Sequence, residues 1–140
     1  MKICSVNGTD IVIFTRNEHC PPHVHVSIKN CDLRLEFSFV HNDVRIWDAT
    51  PDKNMPKLRE IERLCVEMKK KDNLTRARKT WLSIIGHICL KNSYLMSLQD
   101  ELSIDEMYLD KKIANAVYDT DKNVTILTIE GISDTIEVEL

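Results

Sequence analysis

Apolar and polar residues alternate through much of the first fifty positions, which is the pattern of β-strands with one buried face. We predict strands at residues 2–6 and 10–15, joined by an Asn-Gly turn, because that dipeptide accepts the positive φ angles of a tight hairpin. The same alternation predicts three further strands, at residues 23–28, 33–39 and 43–48. Five short strands in succession favour an antiparallel meander.

The periodicity becomes helical after Pro51. We predict a first helix within residues 54–71, which ends at the polar run KKKDN. A second helix is predicted from residue 75 to about residue 88. A third helix is predicted over residues 91–102. Three strands follow, at residues 113–119, 123–129 and 135–140.

These elements predict an α+β fold, in which an N-terminal antiparallel β-meander is packed by two or three helices and a C-terminal β element follows. With 3 glycines and 4 prolines, the chain offers few places for a boundary between domains. We place the boundary near residues 89–93, which gives a first domain of residues 1–88 and an extension of residues 89–140.

Composition narrows the class of protein. Hydrophobic residues make up 43% of the chain and charged residues 29%, as in ordinary soluble proteins. No apolar run approaches the ~20 residues that span a bilayer, and polar residues interrupt the N-terminal segment where a secretory signal would be apolar. We therefore expect a cytoplasmic protein with no membrane partner. The five cysteines include no CxxC pair, so a zinc ribbon is not expected.

Charge is unevenly distributed. Residues 57–84 carry nine basic and four acidic side chains, whereas residues 100–140 carry three basic and eleven acidic ones. The basic segment could contact the phosphates of RNA or DNA, although such charged runs are more often a solvated helix end and turn. The opposite charges, together with exposed strand edges, also suggest a homo-oligomer. The candidate nucleic-acid-binding residues are Lys69, Lys70, Lys71, Arg76, Arg78 and Lys79.

Residues 18–26, with the sequence EHCPPHVHV, hold the densest candidate chemistry. Pro21 and Pro22 fix two φ angles and remove two donors, so we expect a rigid corner before the strand at 23–28. In that strand His23 and His25 share a face, which we expect to be exposed. Paired imidazoles can converge on a zinc ion, and the third ligand could be His19, Cys20, Glu36 or His41.

The same histidines could instead serve in catalysis. Histidine titrates near neutral pH, so His23 or His25 could act as a general base, with Arg34, Arg16 or Arg45 stabilising the charge that develops on a phosphate. No phosphate-binding glycine loop, nucleophile elbow or HExxH motif accompanies them. The remaining alternative is a solvated strand face that binds nothing.

The stretch from residue 11 to residue 38, IVIFTRNEHCPPHVHVSIKNCDLRLEFS, resembles the signature of a bacterial family, domain of unknown function 4160. The helical segment ending near Trp81 is similar to the family's second half, and the resemblance covers residues 1–84. The motif residues at the matching positions are Pro21, Pro22, His23 and His25. The resemblance implies a small bacterial cytosolic protein of toxin–antitoxin type, with no catalytic residues to carry over.

Two functions follow from these observations. The first is an interaction protein of a toxin–antitoxin-like or phage–host conflict system, without a cofactor, that binds another protein or a nucleic acid. The second is a toxin-like ribonuclease or other hydrolase that uses the His23 and His25 face, with zinc as its metal if it requires one. Substitution of both histidines would abolish activity in the second case and leave binding intact in the first.

Overall fold

Five antiparallel strands form one sheet in the computed structural model, which describes residues 1–90 and 94–140. Their order in the sheet is their order in the chain, so the predicted meander is confirmed. Positive φ angles at Asn7 and Gly8 close the first hairpin, as the Asn-Gly dipeptide indicated. The strands are β1 (Lys2–Val6), β2 (Thr9–Val12), β3 (His23–Ile28), β4 (Cys31–Glu36) and β5 (Arg45–Thr50).

Two helices follow the sheet, α1 (Leu58–Lys69) and α2 (Lys71–Ile85), and a short 3₁₀ helix at Asp52–Asn54 precedes them. Lys70 alone separates α1 from α2, so the second helix begins earlier than the predicted residue 75. Both helices are amphipathic and contact the sheet through apolar residues. The buried apolar residues are Ile61, Leu64, Cys65 and Met68 on α1, and Leu74, Ala77 and Trp81 on α2.

The chain divides into two units, the first made of residues 1–38 and 42–86 and the second of residues 39–41 and 87–140. The boundary predicted from sequence, at residues 88 and 89, lies two residues beyond the point where the second unit resumes. Among residues 1–90 and 94–140, no helix has both the length and the apolar character needed to cross a bilayer.

The second unit is built on a three-stranded antiparallel sheet in the order β6-β7-β8. The strands are β6 (Ile113–Asp119), β7 (Val124–Ile129) and β8 (Thr135–Glu139), close to the predicted ranges. One face of this sheet packs against two short 3₁₀ helices, at Leu95–Leu98 and Glu106–Tyr108, and against residues 39–41, which we call the inserted segment. The buried members of the core are Val40, Leu95, Leu98, Ile113, Leu127, Ile129 and Val138.

The third predicted helix is wrong for its described part, since residues 94–102 contain only a 3₁₀ helix at Leu95–Leu98. Its backbone donors bond elsewhere: the Leu95 N–H donates to the Lys111 carbonyl (3.0 Å) and the Met96 N–H to the Leu109 carbonyl (3.2 Å). These long-range bonds take the donors that an α-helix would use locally. The beginning of that prediction, residues 91–93, lies outside the described residues.

Candidate metal centre

One face of the first sheet brings the motif histidines next to charged and aromatic side chains. His25 on β3 is paired with Arg34 on β4, which is paired in turn with Asp48 on β5. Side chains of directly paired residues lie on the same face of a sheet. A register shift between Arg34 and Leu35 gives β5 an extra residue at Trp47, and such bulges re-aim side chains.

His23 is buried, which corrects the expectation that both histidines face solvent. Its side chain is 1% exposed, and its ring stands edge-on to Trp47 at 5.0 Å and to Trp81 at 5.4 Å between ring centroids. His25 remains partly exposed. Strand alternation placed the two rings on one face correctly, but it could not show that two tryptophans cover the end of the strand nearest His23.

Glu18 is the residue that joins the two imidazoles. Its Oε1 lies 2.8 Å from Nε2 of His25 and 3.4 Å from Nε2 of His23, and its side chain is only 2% exposed. The other oxygen, Oε2, is buried and accepts no hydrogen bond from any residue in the described part of the chain. Burying a carboxylate is costly unless charges or donors compensate it, so this oxygen calls for a cationic or donating neighbour.

The orientation of His23 is fixed by the double-proline corner. Its Nδ1 lies 2.8 Å from the carbonyl oxygen of Pro21. A carbonyl can only accept, so Nδ1 carries the hydrogen and Nε2 of the neutral ring keeps its lone pair. Burial is the main influence on this ring and lowers the pKa of His23, which favours that neutral form near pH 7.

The lone pair of His23 therefore faces a carboxylate. Two electron-rich atoms 3.4 Å apart repel each other unless a proton or a metal cation lies between them. A histidine that donates Nδ1–H to a backbone carbonyl and presents Nε2 is the usual arrangement of a metal ligand and its supporting hydrogen bond. The geometry at Glu18 and His23 fits a metal ion well.

The distances in the three-residue cluster Glu18, His23 and His25 also suit a small ion. One ligand atom from each residue can be chosen so that all three lie within 4.8 Å of one another. Zinc bonds to histidine nitrogen and carboxylate oxygen are about 2.1 Å long, so tetrahedral ligand atoms lie about 3.4 Å apart. Small side-chain adjustments would bring the three atoms to that spacing.

Glu18 was missed as a third ligand from sequence alone. The third member of the group that holds His23 and His25 is Glu18, and that group contains none of the candidates His19, Cys20, Glu36 and His41. Glu18 precedes the double proline, and the turn of the chain there brings it back over β3. The sequence does show an acidic residue, Glu18, just before the double proline, but no known spacing of residues identifies a glutamate at this position as a metal ligand.

The rim of the cluster is aromatic and cationic. The ring of Phe14 lies flat on the ring of His25, with centroids 3.9 Å apart and an interplanar angle of 20°. The Arg34 guanidinium lies over the Trp47 ring, 3.9 Å from its centroid. Arg34 also forms a two-point ion pair with Asp48, with Nε 2.7 Å from Oδ1. This hydrogen-bonded pair raises the pKa of Arg34 and lowers the pKa of Asp48.

Most of the basic residues proposed for nucleic-acid binding are exposed but locally engaged. Lys69 forms an ion pair with Asp43 (2.9 Å) and Lys70 with Glu67 (2.7 Å). Arg76 donates to a backbone carbonyl of β1 at 2.5 Å. Contacts of this kind are weak and would not prevent binding to phosphates. Five of the six residues are exposed: Lys69, Lys70, Lys71, Arg76 and Lys79.

Arg78 does not belong to that surface. It is 1% exposed, and its guanidinium donates to the Ser38 carbonyl and to Oδ1 of Asn42, each at 2.9 Å. A buried, hydrogen-bonded arginine is a structural element of the first unit and cannot reach a phosphate in solvent. The expectation that Arg78 contacts nucleic acid is therefore wrong.

The chain matches no protein-family model, no curated protein and no solved structure. The resemblance to domain of unknown function 4160 stays a prediction that rests on the motif residues themselves. The functional argument accordingly depends on the geometry of the cluster.

Proposed function

We propose that the first unit binds a divalent ion of the zinc class through Glu18, His23 and His25, and that this ion is the Lewis acid of a hydrolase. The observation that carries the proposal is the convergence of two imidazole Nε2 atoms on a buried carboxylate whose second oxygen has no hydrogen-bond donor among the described residues. Two histidines and one carboxylate form a ligand set that zinc hydrolases use.

Three protein ligands favour a catalytic ion over a purely structural one. Structural zinc sites are normally closed by four protein ligands, whereas catalytic sites leave one position for water or substrate. An ion held by Glu18, His23 and His25 would supply Lewis-acid activation of water near neutral pH. Hydrolysis would then add the elements of water across the bond that breaks, with no oxidation or reduction.

The aromatic surroundings suit such a reaction. Trp47 and Trp81 pack against His23 and remove water from one side of the cluster, while the partly exposed His25 marks the open side. Exclusion of water strengthens the electrostatic effect of an ion on the group it polarises. These surroundings support the hydrolase that was the alternative function at the level of sequence, with Glu18 as the proposed third ligand.

The interaction role in a toxin–antitoxin-like or phage–host conflict system, which was the first function expected from the sequence, is our second candidate. The observation that favours it is the set of exposed basic side chains on and between α1 and α2, which could bind an acidic protein or a nucleic acid. The two roles are compatible, since a toxin of this type would need both a reactive centre and a neutralising partner.

The test of the metal centre is a zinc analysis of the untagged protein. We expect about one zinc per chain after dialysis, and a rise in melting temperature when zinc is added to metal-free protein. Substituting Glu18→Gln keeps the shape of the side chain and removes its charge, so zinc affinity should fall by about 100-fold or more.

Glu36→Gln is the matched control for this experiment. Glu36 lies opposite His23 in the sheet and was itself a candidate ligand, but it is not part of the cluster. The variant should bind zinc as the wild type does. Zinc binding that is absent from the wild type, or that is lost in Glu36→Gln but kept in Glu18→Gln, would contradict the proposal.

A further inference from the structure

We infer that the substrate of this centre is a nucleotide, meaning a phosphate ester whose planar base stacks on Phe14. The inference rests on the proposed metal centre and adds the class of molecule that the centre acts on. It comes from an exposed aromatic ring fixed beside a proposed metal ligand, and from the positive charge that the proposed ion would add beside Arg34.

Phe14 has the geometry of a stacking platform. Its ring is 49% exposed, yet it is held parallel to the His25 ring at 3.9 Å and 20°. One face of the ring is therefore covered by a proposed metal ligand, and the exposure leaves room for a second planar group. Bases of single-stranded nucleic acids stack on aromatic side chains in this manner, largely irrespective of sequence.

The charge at the rim favours an anion. The Glu18 carboxylate would be neutralised by the ion, and Asp48 is already paired with Arg34. The two positive charges of the ion and the Arg34 guanidinium together outweigh the two carboxylates. A phosphate group would bind this combination as an anion and as a metal ligand.

Other common classes of substrate would use only one of these two features, the positive charge or the Phe14 ring. A peptide bond is uncharged and a sugar offers no planar aromatic ring, so neither uses both the cationic centre and the Phe14 face. A nucleotide presents a phosphate and a planar base on one molecule. Free mononucleotides and single-stranded oligonucleotides share this chemistry, and the experiment must separate them.

The test uses the full-length, zinc-loaded protein and calorimetric titration with four defined ligands. These are inorganic phosphate, deoxyribose 5-phosphate, thymidine monophosphate and a five-nucleotide oligothymidine. Stacking of one base is worth about tenfold in affinity, so thymidine monophosphate should bind about tenfold more tightly than deoxyribose 5-phosphate. Tighter binding of the oligonucleotide would identify a single strand as the ligand, and equal binding would identify the free nucleotide.

Two variants assign this preference to Phe14. Phe14→Leu keeps an apolar side chain without a ring and should lose the tenfold advantage, whereas Phe14→Tyr should retain it. The preference is taken as the ratio of the affinities for thymidine monophosphate and deoxyribose 5-phosphate within each variant, so a change in zinc occupancy does not affect it. The comparison of ligands on the wild-type protein decides the question even if Phe14→Leu fails to fold.

The outcomes separate this inference from the proposed function. A zinc-loaded protein that binds deoxyribose 5-phosphate and thymidine monophosphate equally would overturn the nucleotide inference and leave the metal centre standing. A Phe14→Leu protein that keeps the full preference for the base would also overturn it. Absence of zinc binding would instead remove the proposed function on which the inference rests.

Discussion

A single hydrogen bond at His23 decides which of its nitrogens is available. Pro21 cannot donate from its own nitrogen, but its carbonyl accepts from Nδ1 of His23 two residues later. The double-proline corner therefore does more than end a segment. It holds the Pro21 carbonyl against Nδ1 of His23, and this hydrogen bond favours the tautomer in which Nε2 carries a lone pair that could bind an ion.

Also at the residue scale, Arg78 is a buried charged residue whose hydrogen bonds stabilise the fold. Arg78→Met keeps much of the side-chain volume but removes the buried guanidinium that donates to the Ser38 carbonyl and to Oδ1 of Asn42. Loss of one partner of a buried, charge-assisted network typically costs about 3 kcal/mol. We expect urea unfolding of Arg78→Met to show a decrease of that size in the free energy of unfolding.

The neighbouring Lys79→Met variant is the control for Arg78, because Lys79 is exposed on the same helix. Its free energy of unfolding should stay within about 0.5 kcal/mol of the wild type. Equal stability of the two variants would show that the guanidinium of Arg78 contributes nothing to the fold.

At the scale of elements, the strands were predictable and the helix boundaries were less so. β3 (His23–Ile28) and β6 (Ile113–Asp119) match the predicted ranges because alternation with a period of two has few competing explanations. The predicted helix at 91–102 had apolar residues at helical spacing, but its described backbone bonds to the segment at 109–111. Sequence periodicity reports which residues are buried and cannot report such long-range partners.

The short break between α1 and α2 is accompanied by a side-chain hydrogen bond from Asn73 that the sequence pattern did not predict. Asn73 is buried, and its Nδ2 donates to the Glu67 carbonyl at 2.8 Å, near the end of α1. The same carbonyl also accepts from the Lys70 N–H at 3.2 Å, so Asn73 supplies a second donor to the last turn of α1 across the one-residue break. The polar run had suggested a longer interruption.

Asn73→Ala should therefore destabilise the first unit. The variant loses one side-chain hydrogen bond to the last turn of α1, which costs about 1 kcal/mol and is measurable by urea unfolding. The exposed neighbour Lys71 provides the control, and Lys71→Ala should change the free energy of unfolding by less than about 0.5 kcal/mol. If Asn73→Ala were as stable as Lys71→Ala, the hydrogen bond from Asn73 to the Glu67 carbonyl would contribute nothing to the stability of α1 and α2.

At the scale of the whole molecule, the candidate site and the main boundary between the units were partly predictable, and the inclusion of residues 39–41 in the second unit was not. Strand alternation was enough to bring His23 and His25 together, but the burial of His23 depends on long-range packing against Trp81, and the position of Glu18 depends on the turn at the double proline. The second unit likewise takes in residues 39–41, far from its other residues in sequence. Thr125 donates from its hydroxyl to the Phe39 carbonyl, which anchors this segment.

The inserted segment should be essential to the second unit. Val40 is 7% exposed and belongs to the core cluster that surrounds Leu127, whereas Val117 on β6 is 46% exposed. Val40→Ala removes two buried methyl groups and should lower the free energy of unfolding by about 2 kcal/mol. Val117→Ala makes the same chemical change at an exposed strand position and should cost less than about 1 kcal/mol.

Hydrogen exchange locates this loss as well as measuring it. In Val40→Ala the amides of β7, which lies at the centre of the second sheet, should exchange faster, because its residues Leu127 and Ile129 share the core cluster with Val40. The Val117→Ala protein should retain slow exchange there. Unchanged protection of β7 in Val40→Ala would mean that residues 39–41 are only a connection and that residues 87–140 form their core without them.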